Sequence, residues 1–495
     1  MNSKKRCKNS VIQQILKGFM KKIANKCHKF VLLKQISNTF YMKKHILPLL
    51  AMITCLLVSC NTQKPETEPQ GKEKIGPKEM TLQSDVMTPE VLWSMGRIGE
   101  SSISPDHSQV VFNVTYYSVE ENRSGSTLYI MNADGSNCRV LSDSKVSEYS
   151  PQWRPDGKKI GFLCAESGSM QIWEINPDGT GREQISNEPD DINGFLYSPD
   201  CSQVVFCKEV KLNETVADIY PDLPLSSGRI NNDLMYRHWD QWVDTFSHLF
   251  VGNISSGKLE ASFDAMAGEK WEAPVRPWGG MEQVRWMPDS QSFVYCCRKK
   301  IGKEYALSTN TDIYQYIIQS GECRNLTEGM MGYDMNPVIS PDGKYIFYFT
   351  NREGKMKVML KSTQTGKSTK IMRSGQPLEQ IQEYNYPVAA WHPTGRILCF
   401  VIEEQGYAYL YQYNVETAAL SRRLLPKFDK VFSMNYSQDG LDMVMSAQVA
   451  GMTDLLVMNI ASDAYEMLTQ DQADDIEPEF IDGGSKIIFA SNRIS

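Results

Sequence analysis

Four acidic residues stand at matching places along this 495-residue chain: Glu148, Asp191, Asp334 and Asp475. Each lies a few residues ahead of a tight turn that recurs through the sequence. Carboxylates gathered at the mouth of a low-dielectric opening focus negative potential, and would attract a cation or the amino terminus of a peptide. The plainer use of such residues is as solvated loop acids. A second set is contiguous: Tyr236, His238, Trp239, Asp240 and Trp242, with Asp244 just beyond. Aromatic rings beside an imidazole and carboxylates can hold a peptide by ring contact and hydrogen bond. The same aromatic spacing also suits a short helix packed on the body of the protein.

A serine nucleophile of the strand-to-helix type needs Gly-x-Ser-x-Gly, with Asp and then His following in the chain. No glycine here begins that pattern. Gly99-Glu100-Ser101-Ser102-Ile103 and Gly483-Gly484-Ser485-Lys486-Ile487 lack the closing Gly, and the last histidine is His392. The chain is therefore expected to be non-catalytic and to need no cofactor. Beyond the amino-terminal segment, His107, His238, His248 and His392 are scattered and no Cys-x-x-Cys occurs, so no metal site is expected. Eight cysteines (Cys138, Cys164, Cys201, Cys207, Cys296, Cys297, Cys323 and Cys399) read as small buried hydrophobes, with one disulfide as the alternative.

The chain carries 12 Lys/Arg and no Asp/Glu in residues 1–59, leaving 40 basic against 59 acidic residues in the rest, a net of -19. A body that acidic repels phosphate backbones, which argues against nucleic-acid partners. The basic front end has its own logic. Met42-Lys43-Lys44-His45 precedes an apolar run from Ile46 to Val58, then Ser59-Cys60 and a polar stretch. A charged start, a short apolar core and a small residue before the cut make an export signal. Residues 42–59 are read as that signal and 60–79 as a flexible linker. Residues 1–41 read as sequence upstream of the true start. An organelle transit segment is the alternative, but it gives no reason for a second Met-Lys-Lys start.

The elements that would position the acids are set by an eightfold turn: Ser104-Pro105-Asp106-His107, Arg154-Pro155-Asp156-Gly157, Ser198-Pro199-Asp200-Cys201, Met287-Pro288-Asp289-Ser290, Ser340-Pro341-Asp342-Gly343, His392-Pro393-Thr394-Gly395, Ser437-Gln438-Asp439-Gly440 and Ile481-Asp482-Gly483-Gly484. Their second positions are 50, 44, 89, 53, 52, 45 and 44 residues apart. Apolar runs flank each turn, and a second turn such as Asn176-Pro177-Asp178-Gly179 follows. Four short strands per repeat of roughly 40–50 residues spell one blade of a β-propeller. Residues 80–495 are thus expected to be all-β: a propeller of seven or eight four-stranded antiparallel blades. The last blade is incomplete, and residues 80–99 are available to close the ring with a strand. The 89-residue interval places a long insertion, residues 210–248, in the third repeat. A loop of that length inside a compact repeat is usually functional.

Several stretches within residues 88–345 closely resemble the amino-terminal propeller of bacterial dipeptidyl peptidases of the prolyl oligopeptidase family. They include Gly194-Phe195-Leu196-Tyr197-Ser198-Pro199-Asp200, Asp218-Ile219-Tyr220-Pro221-Asp222-Leu223, Tyr236-Arg237-His238-Trp239-Asp240-Gln241-Trp242-Val243 and Ala306-Leu307-Ser308-Thr309-Asn310-Thr311-Asp312-Ile313-Tyr314. From about residue 351, stretches such as Asp474-Asp475-Ile476-Glu477-Pro478-Glu479-Phe480 look more like TolB-type repeats of the cell envelope. The terminal Leu57-Val58-Ser59-Cys60 resembles a lipobox, which implies acylation of Cys60. Together these resemblances imply a lipid-anchored propeller of the bacterial cell envelope, periplasm-facing or on the outer membrane, that binds a peptide or protein. The alternative is the substrate-gating propeller of a split or truncated serine dipeptidyl peptidase, working with a separate hydrolase chain.

Overall fold

The computed structural model describes residues 73–78 and 86–493, apart from 233, 277–278, 330–331, 352–355, 374, 378, 381–387, 405–406 and 426–427. Cys60, the export signal and the upstream segment lie outside the described residues.

Among the described residues, two small hairpins stand apart from eight antiparallel sheets that follow one another in chain order. Each begins with an inner strand: Arg97–Ile103, Glu148–Trp153, Ile192–Tyr197, Val284–Trp286, Asp334–Ile339, Ala389–Trp391, Lys430–Tyr436 and Asp475–Ile481. In the first seven sheets, three further strands pair outward in sequence. Neighbouring sheets meet chiefly through these first strands, which places them around the axis of a β-propeller.

Burial follows from that arrangement. A second strand has a neighbouring blade on each face, so it reads as a continuous apolar run rather than an alternation. Ile160–Cys164 and Ser292–Cys297 are buried at every residue. Each interface has its own apolar layer. Phe347 and Val358 of blade five meet Phe400 and Tyr411 of blade six. Val205 and Leu249 of blade three meet Phe293 and Tyr295 of blade four. Full burial of one such side chain contributes roughly 1.5–3 kcal/mol.

The repeated turn is built as the residues dictate. Its serine hydroxyl donates to the aspartate two positions on, at 2.6 Å for Ser104–Asp106 and Ser198–Asp200 and 2.7 Å for Ser340–Asp342 and Ser437–Asp439. The fourth position takes a left-handed backbone, with φ of 69° at Gly157 and 73° at Gly440, and even at His107 and Cys201. The preceding aspartate bonds locally and leaves that conformation in place.

Two expectations are corrected. The third-repeat excursion ends at Thr245, because the third strand begins at Phe246. Its aromatic segment is a hairpin, Arg237–His238 against Gln241–Trp242, not a helix. Trp239 sits in its two-residue turn with φ 54°. The short helix of the excursion lies earlier, at Val216–Ile219.

Among the described residues 86–99, no strand closes the ring either. That region holds helix α1 (Pro89–Ser94) and then the inner strand of blade one. The eighth sheet pairs only its own two strands, Asp475–Ile481 and Lys486–Ser491, among the described residues. It meets blade one by other means. His107 Nδ1 lies 3.2 Å from the Phe480 carbonyl, and Ile488 packs on Val110, Phe112 and Val114. Into the same apolar layer goes Ile75, only 5% exposed. Its backbone crosses Gly125 so closely that a Cβ there would stand 2.4 Å from the Ile75 carbonyl oxygen. Arg123 holds the neighbouring Glu73 carbonyl at 3.0 Å.

Candidate functional site on the loop rim

Strand direction divides the propeller into two rims. The repeated turns, between first and second strands, lie on one. The connections between second and third strands, and those from one blade to the next, lie on the other. Every long connection falls on this second rim, and the longest cluster on blades three and four: residues 211–245, 265–283 and 298–311.

Those three segments converge on one carboxylate. Glu272 is 1% exposed. Tyr305, on the short helix Gly302–Leu307, donates its hydroxyl to Glu272 Oε1 at 2.8 Å. His238 Nε2, from the hairpin, lies 2.9 Å from the same oxygen. The His238 and Tyr305 rings sit 5.6 Å apart, and the Arg298 guanidinium lies over Tyr305 at 4.7 Å. Burial first, then the Glu272 charge, hold the Tyr305 phenol well above its ordinary pKa, so it stays a hydrogen-bond donor. Glu272 Oε2, Trp271 Nε1 and Arg298 Nε are buried without a hydrogen-bond partner. Unmet polar atoms in a buried cluster are costly, and an incoming polar group would relieve that cost.

Of the hairpin residues anticipated from sequence, His238 reaches Glu272, and the others lie along the hairpin. Trp239 is 72% exposed at its tip. Trp242 is covered by Arg229 at 4.5 Å and Arg237 at 4.8 Å, with Tyr236 6.3 Å away. Arg237 also donates to the Asp240 carbonyl at 2.8 Å, and Arg229 grips Asp244 through both its oxygens. Glu272, Tyr305 and Arg298 carried no spacing signal in the sequence, because they reach the site from separate connections.

The four acids do not come together. Glu148, Asp334 and Asp475 each open the inner strand of their own blade and are fully buried. Glu148 accepts from Ser142 at 2.8 Å and from Arg182 Nε at 3.1 Å. Even so, burial outweighs those contacts and pushes its carboxyl above the usual range. Asp475 is paired with Arg493. Asp191 is exposed and accepts from the Met170 amide at 2.7 Å. The acidic ring facing solvent, expected from the sequence, is therefore not formed: Glu148, Asp334 and Asp475 are buried, Glu148 and Asp475 against arginines. The reason is a bulge two residues on, where Ser150, Asn336 and Glu477 take positive φ just before a proline. No group of three or more metal-ligating side chains occurs among the described residues.

No family profile matches the chain. Among curated proteins, it is 39% identical over 355 residues to dipeptidyl-peptidase 5 of Porphyromonas gingivalis, covering 71% of this chain and 51% of that protein. It is 41% identical over 305 residues to dipeptidyl-peptidase 5 of Porphyromonas endodontalis, covering 62% and 43%. The chain is a homologue of dipeptidyl-peptidase 5. It spans about half the length of the curated relatives it matches. This overturns the expectation of a non-catalytic protein, which rested on a missing Gly-x-Ser-x-Gly: the curated relatives that the chain matches at 39–41% identity are named dipeptidyl-peptidase 5. Solved structures similar to the chain include the β-propeller domain of the trilobed protease from Pyrococcus furiosus, at 15% identity and TM-score 0.39, covering 76% of this chain and 96% of that one. TolB from Acinetobacter baumannii is similar at 18% identity and TM-score 0.32, covering 68% and 64%.

Proposed function

We propose that the protein to which this propeller belongs is a serine dipeptidyl peptidase, and that the loop rim of blades three and four receives the amino-terminal end of its peptide substrate. Glu272 is the residue that carries this reading. A buried carboxylate with one oxygen lacking a hydrogen-bond partner, flanked by Tyr305 and His238, suits an ammonium group: the charge meets the carboxylate and the aromatic faces add cation–π attraction. Trp239 at the hairpin tip would cover the bound residue from outside. The similarity to dipeptidyl-peptidase 5 supports peptides as the ligand class.

The test uses the protein as purified from its host. Dipeptidyl-coumarylamide substrates are compared with their N-acetylated forms, in the wild type and in Glu272→Gln. Expected are turnover of the free-amine form only, blocked by a serine-directed fluorophosphonate, and a KM raised about 10–100-fold in Glu272→Gln through loss of a charge-assisted contact. Equal turnover of acetylated substrates, or an unchanged KM in the variant, would overturn the assignment.

A further inference from the structure

At the opposite, turn-bearing rim a cavity of about 510 Å³ opens between the inner strands of blades five, six and seven. Val338, Ala389, Ala390, Trp391, Asn435 and Gln438 form much of its wall. Three successive inner strands share it.

Its origin is local. At four junctions a side chain on one inner strand bonds a backbone carbonyl on its neighbour. Gln152 donates to Phe195 O at 2.7 Å, Trp286 to Leu196 O at 3.1 Å, Trp391 to Val338 O at 3.2 Å and Asn435 to Pro478 O at 2.9 Å. Among the described residues no such bond joins the inner strands of blades six and seven. Blade six offers two alanines there, Ala389 packed on the layer shared with blade five and Ala390 on the layer shared with blade seven. Tyr436 of blade seven leans instead to Cys399 in the second strand of blade six, at 2.8 Å. At the turn-bearing end the small side chains of Ala389 and Ala390 and the Asn435 and Gln438 carboxamides line the cavity.

We propose that this cavity is a second peptide-binding site, one that takes an uncharged extended segment rather than a free terminus. An apolar side chain of the ligand fills the space over Ala390 against Trp391 and Val338. Its backbone amides bond the Asn435 and Gln438 carboxamides. The volume lies within the roughly 300–1,000 Å³ typical of ligand sites. No ionised side chain is among the lining residues, which separates this site from the Glu272 cluster in the chemistry it selects. The choice of peptides as ligand rests on the reading above; the cavity itself does not.

The probe is N-acetyl-Ala-Val-Ala-amide, which has no ammonium group, titrated calorimetrically into the intact purified protein. Saturable binding is expected. Ala390→Trp, which fills the cavity, should weaken it at least about 10-fold, and Gln438→Ala, on an exposed turn, about 3-fold through loss of one hydrogen bond. Glu272→Gln should leave it unchanged, so that failure of this site and failure of the amino-terminal site are read separately. Absence of saturable binding to folded wild type would refute the proposal, as would wild-type affinity in folded Ala390→Trp. If Ala390→Trp does not fold, wild-type affinity in Gln438→Ala refutes it instead.

Discussion

Replacing Gly125 with alanine should unseat the segment that bridges the first and eighth blades. The added Cβ would stand 2.4 Å from the Ile75 carbonyl oxygen and 2.8 Å from its nitrogen. Both are backbone atoms, so no rotamer change relieves the clash. Residues 73–78 must move, and the Ile75 side chain leaves the layer it shares with Phe112, Tyr116 and Ile488. Losing a nearly fully buried isoleucine costs about 1.5–3 kcal/mol. Alanine recovers about 0.5–1 kcal/mol, because glycine has more backbone freedom to lose on folding. The net expectation is a loss of about 1–2 kcal/mol. Ile75→Ala alone should cost about 2–4 kcal/mol. In the double variant the second change should cost almost nothing, giving a coupling of about 2–4 kcal/mol. Urea titration measures the global terms. Amide exchange over residues 73–78 and 486–491 reports the seam itself, where local opening need not involve the whole ring. Additive losses, or unchanged exchange in Gly125→Ala, would refute the packing argument.

Two other outcomes follow from the turns and the thiols. Hydrogen bonds from serine or threonine at the turns hold Asp106, Asp134, Asp178 and Asp439 below the ordinary carboxylate range. Groups with lowered folded pKa stabilise above their unfolded value, near 3.8, and lose that contribution as pH falls through the folded value. The urea midpoint should therefore drop on acidification below about pH 4, by less in Asp439→Asn than in wild type; an equal drop would count against these turns. Burial pushes the thiols of Cys207 and Cys296 to about 12 and that of Cys399 to about 11. A disulfide reagent at pH 8 should thus modify Cys323 first, since it is the exposed thiol, with Cys138 and Cys201 next; rapid labelling of Cys296 in the native protein would contradict the described core.

The blades were legible because their turns are made by residues that act locally. Ser340-Pro341-Asp342-Gly343 fixes its own φ and its own hydrogen bonds, so spacing alone located the sheets. The acids were misplaced for a related reason. Their phase in the repeat was right, but whether Glu148 faces solvent depends on Arg182, 34 residues away, and on a bulge that no composition rule marks. The Glu272 cluster was half visible. His238 stood out among its aromatic neighbours, whereas Tyr305 lies 33 residues beyond Glu272 and meets it only because two blade connections fold over the same rim. The helix expected over the hairpin failed because Trp239 and Asp240 serve as a turn pair.

The seam between the first and eighth blades has a consequence for assembly. Most blade contacts join residues within one or two repeats, whereas His107 and Phe480 are 373 positions apart. Bringing such distant points together carries a loop-closure entropy that grows with the logarithm of the intervening length. Each fan-shaped sheet can therefore mature beside its predecessor, while the circle is completed last. A short peg inserted at that junction stabilises the finished ring without asking any distant strand to find its register.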